Sequence, residues 1–165
     1  MNKSLFHGTK DYLKVLDAGR VVCPALLNSL NIPIQEQELL FNHYDNEYQS
    51  LVRKCKEVVL NSNLYDGKNI NGTPITGLSD EEIADHISFF GNGNSEISLA
   101  ARYKELTRLT HVFLGDLDTA RSYAVGKEGR ILKFSLPEEI LRPGHHEKWA
   151  LVKKEIPLEH MTEIH

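Results

Sequence analysis

Residues 4–24 read SLFHGTKDYLKVLDAGRVVCP, and several kinds of local signal follow one another within them. Leu5-Phe6 is a short apolar run, His7-Gly8-Thr9 reads as a turn, and a helix-like segment follows at once. Its apolar positions Tyr12, Leu13, Leu16 and Ala18 fall at mixed three- and four-residue steps, and Gly19 stands where helices usually end. Arg20 to Cys23 is a second extended piece, stopped by Pro24. Strand, turn, helix and Gly-Arg exit make a compact binding-loop arrangement. A glycine after the histidine lets a ligand come close to the backbone and leaves the main-chain groups uncovered.

The whole chain has 165 residues, the size of one domain with a real core. Hydrophobic residues at 41% and charged residues at 25% are ordinary for a globular protein. The net charge of −4 argues against broad, non-specific binding to nucleic acid, although a local basic groove is compatible with it. Cys23 and Cys55 sit in apolar surroundings without CxxC spacing, as reduced core cysteines of a cytosolic protein do. The segment MNKSLFHG lacks the apolar stretch of a signal peptide, and no run is long enough to span a membrane. These features lead us to expect a cytoplasmic protein, of its own cell or of a host, with no membrane partner.

Beyond Pro24 a strong helix is predicted from about Gln35 to Leu60, with Leu40, Tyr44, Tyr48, Leu51, Cys55 and Val58 as its apolar stripe. Residues 61–78 are rich in turn signals and fit either a plain connector or a mobile loop. Ser79-Asp80-Glu81-Glu82 is a capping box, opening a helix through Ile83, Ile87 and Phe90. Gly91 to Asn94 breaks it, and another helix carries Ile97, Leu99, Ala100, Tyr103, Leu106 and Leu109 on its apolar side. Residues 30–108 thus read as a helical insertion. From Thr110 the texture turns to strands, with one short helix, capped by Asp118 or Thr119, through Ala120, Tyr123 and Ala124. His145-His146-Glu147 lacks HExxH or Cys/His spacing, so no metal site is expected. Neither a GxSxG elbow nor a GxGxxG loop is present.

Two segments carry a family likeness. His-Gly-Thr after a first strand, with a helix leaving through Leu-x-x-Gly-Arg, resembles the NAD pocket of ADP-ribosyltransferases. The likeness is to the poly(ADP-ribose)polymerase-like branch with its His-Tyr-Glu triad, in the bacterial or phage mono-ADP-ribosyltransferase type. The second segment, THVFLGDLDTARSYA at 110–124, is similar to that family's apolar-aromatic-apolar-small-Asp strand and following helix. Together they cover residues 4–24 and 110–165. The resemblance implies an α+β fold, a split β-core of two small twisted sheets with the helical insertion between its halves, in a single domain over 1–165. It implies that His7 and the Gly8 backbone hold the ribose and carboxamide of nicotinamide riboside. Thr9 and Arg20 belong to the same pocket, Arg20 as a candidate pyrophosphate clamp. Phe113 takes the position of the triad tyrosine, without its hydroxyl, and Tyr123 that of the second ring sandwiching nicotinamide. Rings on both sides of a flat cationic pyridinium combine stacking with cation–π attraction.

The third triad member should be a glutamate at the start of a late strand. Its carboxylate would stabilise the oxocarbenium character that builds on the ribose as nicotinamide leaves. Glu147 is the candidate; in an alternative register Trp149 takes that place, while Glu155 falls too late, at the strand's exit. The implied activity is NAD-dependent mono-ADP-ribosyl transfer to a macromolecule, with NAD as substrate and a protein acceptor favoured over nucleic acid. The alternatives are an inactive relative that binds a nucleotide or protein partner, and an NAD-dependent enzyme removing an RNA 2′-phosphate. The acidic net charge fits the last poorly.

Overall fold

In the computed structural model, which describes residues 1–89, 94–144 and 148–165, the first strand runs straight through the His-Gly-Thr segment. This strand, β1 (Asn2–Thr9), is followed by α1 (Tyr12–Ala18), β2 (Arg20–Val22), α2 (Pro24–Leu27) and α3 (Ile34–Leu60). Next come a small hairpin, β3 (Asn69–Ile70) and β4 (Thr73–Pro74), then α4 (Asp80–Asp85), a 3-10 turn and α5 (Asn94–Thr110). The C-terminal part alternates β5 (His111–Leu114), α6 (Leu117–Tyr123), β6 (Arg130–Pro137), β7 (Arg142–Pro143), β8 (Ala150–Lys153), β9 (Glu155–Pro157) and β10 (Met161–Ile164). The protein is α+β, and the chain divides into two compact units, Met1–Phe41 with Arg108–His165, and Asn42–Thr107.

The first unit contains three small sheets, ordered β1-β6-β10, β5-β8-β7 and β2-β9, and every strand pair in them is antiparallel. That excludes a parallel dinucleotide-binding sheet among the described residues. The β1–β6 register is unbroken from Asn2↔Pro137 to Thr9↔Arg130. It therefore keeps His7, Gly8 and Thr9 in the strand, where the sequence suggested a turn. The alternation of β6 decides the core: Leu132, Phe134 and Leu136 point inward with Leu5, and from the other sheets come Val112, Leu114, Ala150 and Val152. Fully burying each such side chain stabilises the fold by about 1.5–3 kcal/mol before chain entropy is counted.

On α1 the buried position is Val15, with Tyr12 partly covered, while Leu13 and Leu16 are exposed. The helix is too short for its apolar periodicity to identify the inward face. It does end as expected, with Gly19 in the left-handed region at φ 70°. The cap of α6 is Asp116, whose side chain accepts from the Thr119 N–H at 3.2 Å, and not Asp118 or Thr119. A carboxylate three residues before the third helical amide reaches it directly.

In the second unit the buried line of α3 is Tyr48, Leu51, Val52, Cys55 and Val59, rotated slightly from the expected stripe, which leaves Tyr44 and Val58 half-buried. The Tyr48 and Tyr103 rings stack at 5.9 Å, and the Tyr103 hydroxyl donates to Asp85 at 2.7 Å. Ser79 and Glu82 form the expected capping box on α4. Residues 61–78 carry the hairpin, whose Asn71-Gly72 turn has φ of 48° and 83°, the turn geometry that glycine and asparagine tolerate. Phe90 lies outside the described residues.

One contact joins β1 to α6 at backbone distance. A Cβ placed on Gly8 would lie 1.8 Å from the Ala120 carbonyl oxygen and 3.1 Å from the Tyr123 Cβ. Gly8 does not have a positive φ; what it supplies is room for the helix. Replacing Gly8 with alanine should lower unfolding free energy by about 2 kcal/mol and the melting temperature by about 5 °C, because backbone must move to admit the methyl group. Urea denaturation of the variant checks this; unchanged stability would contradict the packing described.

Candidate functional site

The site is built where β1 and β5 meet and then part. Phe6 donates to the Gly115 carbonyl at 2.9 Å and accepts from the Gly115 N–H at 2.8 Å, an isolated antiparallel bridge. In a continuing ladder the next bonded pair would be Gly8 with Phe113. Instead the Phe113 carbonyl accepts from His7 Nδ1 at 2.8 Å. The imidazole of one strand thus occupies the acceptor that the neighbouring amide would have used, and the ladder stops there.

Two consequences follow for Gly8. Alternation turns its N–H and C=O away from β6, as it does those of Phe6. Ile131, opposite Gly8 on β6, exchanges its own bonds with His165 at 3.1 and 2.8 Å. Gly8 therefore presents an N–H and a C=O toward the parting of the strands, with no backbone partner among the described residues. An adjacent donor and acceptor on an edge are suited to a planar amide, which offers the complementary pair.

His7 is fixed in one tautomer by the same bond. A carbonyl only accepts, so Nδ1 carries the proton and Nε2 of the neutral ring is left as an acceptor. The ring keeps a partly exposed edge, yet desolvation by the surrounding protein pushes its pKa below the ordinary value, outweighing the opposing effect of the Phe113 carbonyl. His7 is thus held neutral, able to accept a hydroxyl hydrogen bond.

Aromatic side chains flank this point. Phe113 is 43% exposed on β5 and Tyr123 64% exposed at the end of α6, beside Gly8. Trp149, 38% exposed, precedes β8 and donates from Nε1 to Thr119 Oγ1 at 3.4 Å. Thr119 and Tyr123 are four residues apart and share a face of α6. His7, Gly8, Phe113 and Tyr123, read from two segments about a hundred residues apart, come together. Trp149 is the neighbour that the sequence reading did not assign to a ligand; its signal was a lone tryptophan at the head of a strand.

Other expected residues have different surroundings. Thr9 Oγ1 accepts from the Asp11 N–H at 3.1 Å and so shapes the entry to α1. Arg20 is mostly buried and committed to Glu155, at 2.8 Å, and to the Gln37 side-chain oxygen. Lys154 pairs with Glu38 beside them. This polar network, to which Arg20 belongs, ties β2 and β9 to the first turn of α3. Glu147, with His145 and His146, lies outside the described residues. Among the described residues no group of histidine, cysteine and acidic side chains is arranged to hold a metal ion. The two cysteines are buried, and desolvation pushes their thiols up, to about 11 at Cys23 and about 12 at Cys55, so neither is a ready nucleophile.

Comparison with known proteins adds no relative: no family model, no curated protein and no solved structure matches the chain. Among the described residues no helix is long and apolar enough to cross a membrane.

The lowered pKa of His7 gives a signed expectation. An unfolded histidine takes up a proton near pH 6.5, whereas folded His7 resists protonation until a lower pH. Between those two values the unfolded state binds more protons, so stability contributed here is full above about pH 6.5 and declines as pH falls. Asparagine can keep a donor near the Nδ1 position without titrating. Stability measured from pH 7.5 to 5 should fall less in His7→Asn than in the wild type; parallel curves would contradict the neutral assignment.

Proposed function

We propose that the protein is an NAD-dependent mono-ADP-ribosyltransferase acting on a macromolecular acceptor. The observation that carries this reading is the His7–Phe113 hydrogen bond at 2.8 Å, which brings both resemblance-bearing segments to one point. In this reading the Gly8 N–H and C=O pair with the nicotinamide carboxamide, and neutral His7 accepts a ribose hydroxyl through Nε2. Phe113 and Tyr123 flank the pyridinium ring. The bond between the ribose C1′ and the nicotinamide nitrogen breaks, its electron pair leaving with nicotinamide. A nucleophile on the acceptor then bonds to C1′ and gives up its proton. Glu147 is assigned the carboxylate that stabilises the positive charge on the ribose.

A protein acceptor is favoured by the electrostatics of the arginines. Two of the arginines are paired with carboxylates: Arg102 donates to Glu47 at 2.7 and 2.9 Å, and Arg121 to Asp118 at 3.2 Å. Charge committed to neighbouring carboxylates in this way is less available to a phosphate backbone. A binding-only relative is the second reading, favoured by Trp149 at the head of β8 and by the absence of a hydroxyl on Phe113.

Incubation with NAD⁺ labelled in its adenylate phosphate and a cell lysate should label a protease-sensitive species. His7→Ala and Glu147→Gln should each reduce transfer at least about a hundredfold, as loss of positioning or of transition-state charge stabilisation does. Full transfer by both folded variants would refute the site. Label that survives protease and vanishes with nuclease would refute the protein acceptor, and binding of NAD⁺ without release of nicotinamide would favour the second reading.

A further inference from the structure

The Trp149 indole has a position that neither the catalytic reading nor the core explains. The β5–β8 register ends at Leu114↔Ala150, so the next facing positions are Gly115 and Trp149. Alternation then places Phe113, Gly115, Trp149 and Leu151 on one face, with Leu114 and Ala150 on the opposite, core face. Phe113 and Trp149 are diagonal neighbours there, a spacing that aromatic side chains reach across.

The Trp149 side chain is closely bordered by backbone and by α6. A Cβ on Gly115 would lie 3.4 Å from Trp149 Cδ1, and one on Gly144 would lie 2.8 Å from Trp149 Cβ. The indole Nε1 donates to Thr119 Oγ1 at 3.4 Å. Glycine at 115 thus leaves space for the five-membered ring beside α6, while the residue stays partly exposed. A large ring anchored along one edge and open to solvent loses little further freedom when a ligand covers it, which favours binding.

Resting on the ADP-ribosyltransferase reading, we propose that Trp149 is a further ligand-contacting residue, a flat surface for the nicotinamide end of the dinucleotide beside Phe113. Tyr123 borders the same space from α6. The specificity this gives is for a planar aromatic ring at the nicotinamide end.

Trp149 is the only tryptophan, so its fluorescence reports the site without labelling. Nicotinamide mononucleotide and adenosine monophosphate are titrated separately into wild-type protein, Trp149→Phe and Trp149→Leu, by calorimetry, with Trp149 emission followed in the wild type and melting curves recorded for all three. The expected result is quenching of Trp149 by nicotinamide mononucleotide. Affinity for it should be about tenfold weaker in Trp149→Leu and largely retained in Trp149→Phe, as loss and replacement of a stacking ring predict. Equal affinities in the wild type and a folded Trp149→Leu would overturn the proposal and leave the wider reading standing. A loss confined to adenosine monophosphate would overturn it by placing the other end of the dinucleotide at Trp149. Absence of wild-type binding to both mononucleotides and to NAD⁺ would end both.

Discussion

The hydrogen bond from His7 to the Phe113 carbonyl is the constraint on which the site depends. A backbone acceptor can be satisfied by the neighbouring strand's amide or by a side chain. If the amide takes it, β1 and β5 zip together and the Gly8 edge is consumed. If the imidazole takes it, the Gly8 N–H and C=O remain presented and the tautomer of His7 is set by the same interaction. An edge with open polar groups also invites pairing with other chains. Here it is brief, confined to one residue between an established ladder and the chain's turn into α1.

Helix α6 makes that opening a lined space. It begins directly after the Phe6–Gly115 bridge, is capped by Asp116, and crosses to β1, where the Ala120 carbonyl meets Gly8. One short helix therefore carries Thr119, which receives the Trp149 indole bond, and Tyr123, which borders Gly8. Its position depends on two glycines that leave room for it, Gly8 by lacking a side chain in the strand and Gly115 at the strand's exit. The polar network of Arg20, Gln37, Glu155, Lys154 and Glu38 secures the neighbouring two-stranded sheet, so the charges there hold structure.

Much of the element order was legible in the sequence because local rules govern it. The Ser79 capping box, Gly19 at a helix end and the alternation of residues 130–135 each express a preference of a few residues at a time. His7, Gly8, Phe113 and Tyr123 were named together on a resemblance; what the structure adds is that His7 bonds the Phe113 carbonyl and that Gly8 lies beside Tyr123. What local rules could not supply was anything decided by long-range pairing. His-Gly-Thr looked like a turn because glycine often marks one, but it continues a strand held to β6 by eight residue pairs. Arg20 looked available to a ligand because Glu155 and Gln37 are distant in the chain. The inward face of α1 is not legible in its sequence because seven residues make barely two turns, and packing alone selects Val15 over Leu13 and Leu16.

If, as proposed, the His7 hydrogen bond leaves the Gly8 amide to a ligand, amide-resolved NMR will register it. Uniformly ¹⁵N-labelled protein titrated with NAD⁺ should show its largest shift at the Gly8 N–H, with smaller shifts at Phe113 and Tyr123. The Gly115 amide, already bonded to Phe6 at 2.8 Å, should move little. A saturable NAD⁺ response that leaves Gly8 unmoved and centres on amides of Asn42–Thr107, or a spectrum indifferent to NAD⁺, would contradict the account.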